Sequence, residues 1–159
     1  MKLADLITHH IEGIAREGSI PFRVPLFSHI DGNLWTGGCP VGSAPQEFEY
    51  IVSLYQEEPY KILKHQVYMQ AQLFDAPMIP NESELYALAE CVNNYRDRGV
   101  TLVHCQAGLN RSGLVAALSM IQMGMTPKNA IAILRNKRSP AVLCNKVFEE
   151  WLLTKNITR

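Results

Sequence analysis

Residues 100–121 of this 159-residue chain read VTLVHCQAGLNRSGLVAALSMI, and this stretch decides the fold. Its beginning is apolar or β-branched and predicts a short buried strand over 100–104. Its end, residues 113–121, is small or apolar and predicts a helix. The connection between them carries Cys105 near one end and Arg111 near the other. A strand that runs through a tight loop into a helix is typical of α/β proteins.

The loop has the components of a site for a phosphate-sized anion. Amides that open a helix point at a bound anion, and the helix dipole favours negative charge there. Gly108 permits the backbone geometry that such a curl requires. Arg111 offers a planar fork of donors that matches two phosphate oxygens. The same positive potential favours the thiolate form of Cys105, which is the nucleophilic form.

The run HCQAGLNRS resembles the Cys-x5-Arg signature of the protein tyrosine phosphatase superfamily. Other stretches resemble its small dual-specificity branch, namely Ile30–Gly38, Tyr50–Leu54, and Arg138-Ser139-Pro140 followed by Asn145 and Phe148. The resemblance extends from residue 30 or so to the end of the chain. It implies a phosphatase that works through a phosphocysteine and needs no metal or other cofactor.

Strands that alternate with helices predict the same architecture as the resemblance. We expect an α/β fold with a central, mostly parallel, twisted sheet that is flanked by helices on both faces. The reactive loop then lies at the carboxyl end of a central strand, where such folds bind ligands.

The resemblance also implies the roles of the loop residues. Cys105 is the nucleophile and Arg111 binds phosphate, together with the loop residues Gln106, Ala107, Gly108, Leu109 and Asn110. Ser112 donates a hydrogen bond to the sulfur, or is an ordinary serine at the start of a helix. His104 orders the loop. Asn145 either supports the loop or serves only as a helix N-cap.

A leaving alkoxide or phenoxide needs a proton, and Asp75 is the best candidate donor. It lies in a loop with two prolines, thirty residues before Cys105, which is similar to the spacing in the dual-specificity family. The alternative is a solvated loop aspartate. Asp31 and Asp97 are weaker candidates because one precedes a turn glycine and the other ends a predicted helix.

Loop side chains leave more than one substrate class open. Members of the superfamily that act on phosphoinositides carry lysines where this loop has Gln106 and Leu109. Asn110 before the arginine resembles the loop of RNA 5′-triphosphatases. Asp75 and the net charge of zero favour phosphorylated proteins or peptides, modified on tyrosine, serine or threonine. An RNA 5′ end and a non-catalytic phosphate-binding module are the alternatives.

Composition predicts a single domain in a reducing compartment. The chain has 47% hydrophobic residues, 15 basic and 15 acidic residues, and no segment that is long and apolar enough to span a membrane. No hydrophobic leader is evident, and the four cysteines lack CxxC or zinc spacing, so we expect reduced thiols and a cytoplasmic location. Cys39 either forms a protective disulfide with Cys105 or is a plain buried thiol.

The remaining pattern predicts the order of elements. Apolar residues at helical spacing predict an amphipathic helix over 2–16, and Pro21 and Pro25 predict an extended connector. We therefore divide the chain into an N-terminal segment, 1–26, and a catalytic domain, 27–159. Strands are predicted at 33–36, 50–54 and 66–70. Helices are predicted after the N-caps Asn81, Thr126 and Asn145.

Overall fold

The computed structural model describes residues 10–15 and 20–155. Its seven strands there are β1 (His10–Ala15), β2 (Ile20–Pro25), β3 (Phe27–Asp31), β4 (Leu34–Gly37), β5 (Tyr50–Ser53), β6 (Val67–Gln70) and β7 (Thr101–His104). β3 to β7 form one sheet in the order β3-β4-β7-β5-β6, in which only the β3–β4 pair is antiparallel. The central position therefore belongs to β7, the strand that leads into the Cys105 loop.

The described residues contain four helices, of which the first lies between β6 and β7 and the other three follow β7. They are α1 (Glu82–Arg96), α2 (Arg111–Gln122), α3 (Pro127–Lys137) and α4 (Lys146–Leu153). The predicted N-caps of α1, α3 and α4 are confirmed, because the side chains of Asn81, Thr126 and Asn145 each accept a hydrogen bond from a backbone N–H of the first helical turn. None of the described helices has the length and apolar character that crossing a bilayer requires.

The two faces of the large sheet are covered differently. Val52 and Val103 pack in the main core with the buried residues of all four helices. Ile51 and Leu102, one position away on the same strands, pack with Phe48 in a smaller cluster. The predicted mostly parallel sheet flanked by helices is confirmed. In the described part of the chain, however, the helices cover one face, and a loop around Phe48 covers the face where we expected a second helical layer.

The composition of this loop explains the missing layer. Pro40, Gly42 and Pro45 fall within residues 38–49, just before Phe48. Proline removes a helical hydrogen bond and glycine favours turns, so these residues prevent a continuous helix.

The N-terminal segment corrects one prediction. Residues 10–15 form β1, which pairs antiparallel with β2 and places Ile11 opposite Val24 and Gly13 opposite Phe22. The predicted helix is therefore wrong for residues 10–15, while 2–9 and 16 lie outside the described residues. The predicted connector is extended, as expected, but it is a strand of this hairpin. The proposed division at residue 26 stays a prediction.

The physical reason for the error is the partner strand. Ile11 and Ile14 fit helical spacing, yet in β1 they point to opposite faces of the hairpin. Ile11 is half-buried, whereas Ile14 is 70% exposed. Pairing with β2 satisfies the backbone groups on one edge of β1, and this pairing cannot be read from the periodicity of residues 2–16 alone.

Candidate active site

The sulfur of Cys105 lies at the base of the loop between β7 and α2. The residue is only 2% exposed. The backbone N–H of Gly108 donates to its Sγ at 3.3 Å, and Ser112 Oγ lies 3.4 Å from the same sulfur. Both neighbours can donate to a thiolate, so the site is built to hold negative charge on sulfur.

The loop carbonyls are bonded to groups outside the loop. Gln106 O accepts from Cys39 N at 3.0 Å, while Ala107 O and Gly108 O accept from the guanidinium of Arg138 at 2.8 and 2.7 Å. In a trans peptide the carbonyl and the following N–H point in opposite directions. The N–H groups that follow these three carbonyls are therefore turned the other way, as the Gly108 contact with sulfur illustrates.

Arg138 is a positioning residue that the sequence analysis did not place at the site. Its remaining hydrogen bonds go from Nη1 to Pro25 O and Ser28 Oγ, at 2.9 and 3.0 Å. Burial lowers the pKa of Arg138 to about 10, whereas the charge on Cys105 raises it, so the guanidinium stays charged at neutral pH. The sequence feature that could have indicated this role is an arginine next to Ser139-Pro140, at the start of an otherwise apolar turn.

Arg111, the first residue of α2, lies beside Tyr55. Its guanidinium carbon is 5.4 Å from the centre of the Tyr55 ring, and Nη1 donates to Leu73 O at 3.4 Å. Its Nε is buried and has no hydrogen-bond partner in the described part of the chain. A buried donor without a partner is costly, and a bound oxyanion would satisfy it.

Asp75 is brought to the reactive loop by two asparagines. Asn110 Nδ2 donates to one carboxylate oxygen at 3.0 Å, and Asn145 Nδ2 donates to the other at 2.9 Å. Asn145 Nδ2 also contacts Ala76 O at 3.0 Å, and its backbone N–H donates to Asn110 Oδ1 at 2.9 Å. Both asparagines are almost fully buried. Asn145 therefore caps α4 and also bonds to Asp75 and Asn110, so it is not only an N-cap, while its supporting role at the reactive loop stays a prediction.

His104, the last residue of β7, contacts the start of the loop as a neutral side chain. Burial lowers its pKa to about 4. Nδ1 lies 3.1 Å from Cys105 O, which can only accept, so Nδ1 carries the proton. Nε2 is then the acceptor for the hydroxyl of Tyr60, at 2.6 Å. This arrangement fits the ordering role expected for His104.

Cys39 forms no disulfide in this structure, and neither do Cys91, Cys105 and Cys144. Its Sγ donates to Glu58 O at 3.3 Å. Burial, with Glu58 and Cys105 adding to it, raises the pKa of Cys39 to about 12. A thiol that stays protonated is a poor partner for disulfide exchange, which favours the buried-thiol reading over the disulfide with Cys105.

A cavity of about 550 Å³ opens above the loop. Its floor is the reactive loop, from which Cys105, Gln106, Ala107, Leu109, Asn110 and Arg111 line the cavity. Three further segments complete the lining: Phe74 and Asp75, Tyr55 and Glu57, and the hairpin with Phe22 and residues 11–15. The hairpin in this wall was not predicted from the sequence.

A second cavity, of about 630 Å³, contains the two weaker acid candidates. Asp31 and Asp97 line it together with Met123 and other residues, but none of the loop residues does. Asp31 is paired with Arg96, at 2.9 Å. These aspartates lie apart from Cys105, so Asp75 is the one of the three candidates that shares its cavity.

Solved structures have the same fold. A mouse putative dual specificity phosphatase complexed with zinc tungstate has a TM-score of 0.69 and 18% identity, over 80% of this chain and 86% of that one. A variant of human DUSP28 has a TM-score of 0.69 and 16% identity, over 81% and 94%. Tk-PTP in its active form has a TM-score of 0.65 and 23% identity, over 82% and 98%. At these identities the likeness establishes the fold.

The family is shown by the sequence itself. No match was found among curated proteins. The family model described as the dual specificity phosphatase catalytic domain, however, matches residues 36–158, which include the end of β4, β5 to β7, all four helices and the Cys105 loop. The chain therefore belongs to the dual specificity phosphatase family and is a cysteine phosphatase.

Proposed function

We propose that this phosphatase hydrolyses phosphate monoesters on proteins, on tyrosine as well as on serine and threonine, through a phosphocysteine intermediate. The observation that carries the proposal is the position of Cys105 Sγ, within 3.4 Å of both Gly108 N and Ser112 Oγ. Asp75 and Arg111 line the same cavity. A nucleophile, an anion-binding group and a proton donor are thus combined in one site.

In the first step the Cys105 thiolate attacks phosphorus. A sulfur–phosphorus bond forms, the bond from phosphorus to the leaving oxygen breaks, and that oxygen takes the proton of the Asp75 carboxyl group. Arg111 and the loop amides stabilise the charge on the transferred phosphoryl oxygens.

In the second step water attacks the phosphocysteine. Asp75, now a carboxylate, accepts a proton from the water as its oxygen bonds to phosphorus. The sulfur–phosphorus bond breaks, and inorganic phosphate and the Cys105 thiolate are released. The Ser112 hydroxyl, 3.4 Å from the sulfur, donates to the departing thiolate and makes it a better leaving group.

The alternative of an RNA 5′-triphosphatase rested on Asn110. In the structure the side chain of Asn110 is 5% exposed, and its amide bonds to Asp75 and to the backbone of Asn145. These contacts give Asn110 a role in holding the acid loop, and this role needs no RNA. We therefore favour a protein substrate, and RNA is tested as the competing one.

The alternative of a non-catalytic module has less support. Cys105, Arg111 and Asp75 are all present and line one cavity.

A phosphoinositide substrate also has little support. Gln106 and Leu109 supply no cations for its additional phosphates, and Leu109 is buried in the main core.

Replacing the nucleophile tests the reaction. Cys105→Ser should reduce hydrolysis of an aryl phosphate by at least about 10⁴-fold, because the alkoxide of serine is not available at neutral pH. Binding of tungstate, measured by calorimetry, should persist; the mouse relative was solved with zinc tungstate. Turnover at the wild-type rate in the Cys105→Ser protein would contradict the proposal.

Leaving-group chemistry tests Asp75. Asp75→Asn should slow a substrate with a poor leaving group, such as phenyl phosphate, by about 10²-fold or more. A substrate with a good leaving group, such as 4-nitrophenyl phosphate, needs less protonation and should be affected less. Equal losses for both would remove Asp75 from the role of acid.

Side-by-side rates decide the substrate. We expect higher kcat/KM for phosphotyrosine and phosphothreonine peptides than for release of the γ-phosphate from triphosphate-ended RNA. The opposite order would establish RNA as the substrate. We also propose a reducing, cytoplasmic location, because the four cysteines form no disulfide and the proposed reaction needs a thiolate. A fluorescent fusion of the full chain would test this location.

A further inference from the structure

One wall of the active-site cavity lies outside the segment that the family model matches. The match begins at residue 36, whereas residues 11–15 of β1 and Phe22 of β2 line the cavity next to the reactive loop. The hairpin is attached to the domain by Ile11, which packs with the smaller core cluster, and by Pro25 O, which accepts from Arg138 at 2.9 Å. The hairpin therefore contributes to the wall beside the catalytic loop, although it lies outside the matched segment.

The cavity has two large apolar side chains at its edge that remain open to solvent. Ile14, on the hairpin, is 70% exposed, and Phe74, next to Asp75, is 68% exposed. Both line the cavity. The wall also contains the half-buried Phe22 and the buried Tyr55, whose ring centre lies 5.4 Å from the guanidinium carbon of Arg111. A substrate that covers Ile14 and Phe74 gains free energy by removing apolar surface from water.

The charged groups in the same wall are mostly acidic. Glu12, Glu57 and Asp75 line the cavity, and Arg111 is the single cation among its described lining residues. Glu12 has Arg23 at 3.8 Å, but both side chains are well exposed, so the pair is weak. Because Arg111 binds the phosphate in the proposed reaction, it does not neutralise Glu12 and Glu57, and the edge of the cavity keeps a net negative charge.

We propose that the hairpin and Phe74 form a recognition rim that accepts apolar residues beside the phosphorylated residue and rejects acidic or phosphorylated neighbours. The rim consists of Glu12, Ile14, Glu57 and Phe74. The proposal rests on the proposed function, since it concerns the peptide that surrounds the phosphate. It predicts a preference for singly phosphorylated, apolar segments.

A peptide panel tests the rim in the full chain. Four phosphotyrosine peptides of equal length carry leucine, alanine or glutamate on both sides of the phosphotyrosine, or a phosphothreonine two residues away. We expect kcat/KM for the leucine peptide to exceed that for the glutamate and doubly phosphorylated peptides by about 10-fold or more, from apolar contact together with reduced repulsion. The alanine peptide should be intermediate.

Variants assign the preference to the rim. Ile14→Ser and Phe74→Ser should each lower the leucine-to-alanine ratio of kcat/KM by about 3-fold or more, because the apolar contact is lost. Glu12→Gln together with Glu57→Gln should raise the glutamate-to-alanine ratio by about 2- to 5-fold. Leu153→Ser and Glu90→Gln are matched controls, since Leu153 is exposed on α4, Glu90 is exposed on α1, and neither lines the cavity. They should leave both ratios unchanged.

The outcomes separate this proposal from the proposed function. Equal kcat/KM for all four peptides, with hydrolysis that depends on Cys105, would overturn the rim and leave the protein phosphatase standing. Ratios that the rim variants do not change would overturn it as well. If only small aryl phosphates were hydrolysed and no peptide was, both proposals would be wrong.

Discussion

At the scale of single residues, Gly108 has the strictest requirement in the reactive loop. Its φ is +74°, and a Cβ placed there would lie 2.5 Å from Gly37 C and 2.7 Å from Arg138 Nη2. A Gly108→Ala substitution must therefore displace both β4 and the arginine that holds the loop. We expect kcat/KM for an aryl phosphate to fall by about 10²-fold or more, with a lower melting temperature.

Gly42 offers a matched control for Gly108. Its φ of +77° is nearly the same, but a Cβ there would meet nothing within 4 Å. Gly42→Ala isolates the cost of the left-handed backbone, about 1 kcal/mol, and should leave activity unchanged. If Gly108→Ala lost no more stability and activity than Gly42→Ala, close packing of the loop would not be the reason for the glycine.

His104 gives the protein a pH-dependent stability. The histidine titrates near pH 6.5 when unfolded, whereas burial lowers its pKa to about 4 in the native state. As pH falls below 6.5, His104 becomes protonated in the unfolded state but stays neutral in the native state, so the free energy of unfolding decreases. This single residue should remove about 2 kcal/mol between pH 7 and pH 5.

Urea denaturation at both pH values measures this loss. His104→Asn should be less stable at pH 7, because buried contacts are lost, yet its stability should decrease less between pH 7 and pH 5 than that of the wild type. His29, an exposed histidine, provides the control, and His29→Asn should keep the wild-type difference. An unchanged difference in His104→Asn would show that His104 is not the group responsible.

At the scale of elements, the N-terminus of α4 combines a cap with a contact to Asp75, the proposed acid. Asn145 Oδ1 accepts from Val147 N and Phe148 N, while Nδ2 donates to Asp75 and Ala76. A serine side chain can cap a helix, but it has no amide N–H group that reaches Asp75 and Ala76. Asn145→Ser should therefore keep most of the stability and lower kcat/KM for phenyl phosphate by about 10-fold, with a smaller effect on 4-nitrophenyl phosphate.

Asn81 separates the two roles, because it caps α1 and, within the described part of the chain, its side chain makes no hydrogen bond to Asp75. Asn81→Ser and Asn81→Ala should change the melting temperature alone. Asn145→Ala should lose stability by about 1 kcal/mol and activity as well. If Asn145→Ser were fully active, its contact with Asp75 would have no part in catalysis.

The elements also show what sequence can and cannot predict here. The three capped helices were predictable, because Asn81, Thr126 and Asn145 act on N–H groups only two or three residues away. The loop around Cys105 was predictable for the same reason, since strand, loop and helix are contiguous. The hairpin was not, because the alternative to a helix depended on a second strand beyond residue 16.

Arg138 and Asn110 show the same limit within the site. Arg138 reaches carbonyls that lie thirty residues earlier, and Asn110 meets Asp75 across thirty-five residues. A single sequence gives no measure of such distances. The sequence offered Asn110 as a sign of RNA substrates and gave no indication of its contact with Asp75, which the structure shows.

At the scale of the whole molecule, the distribution of charge favours the proposed protein substrate over RNA. The chain has a net charge of zero, and the described wall of the active-site cavity contains three acidic residues and one arginine. Nucleic acid binding is driven by cations that displace counterions from phosphates, so its strength falls steeply with salt. A neutral molecule with an acidic rim lacks this driving force, and its encounter with a singly phosphorylated peptide involves one anion-binding group.

We therefore expect kcat/KM for a singly phosphorylated peptide to change by less than about 5-fold when NaCl is raised from about 50 to about 500 mM, which is the effect of a single phosphate contact. Triphosphate-ended RNA held by three cations would lose about 100-fold over the same range. Stopped assays on both substrates at four salt concentrations measure the two slopes, and a 4-nitrophenyl phosphate series corrects for effects of salt on the chemistry itself. A steep slope with RNA, together with a higher kcat/KM on RNA at low salt, would mean that cations outside the described wall guide the substrate and that the protein-phosphatase proposal is wrong.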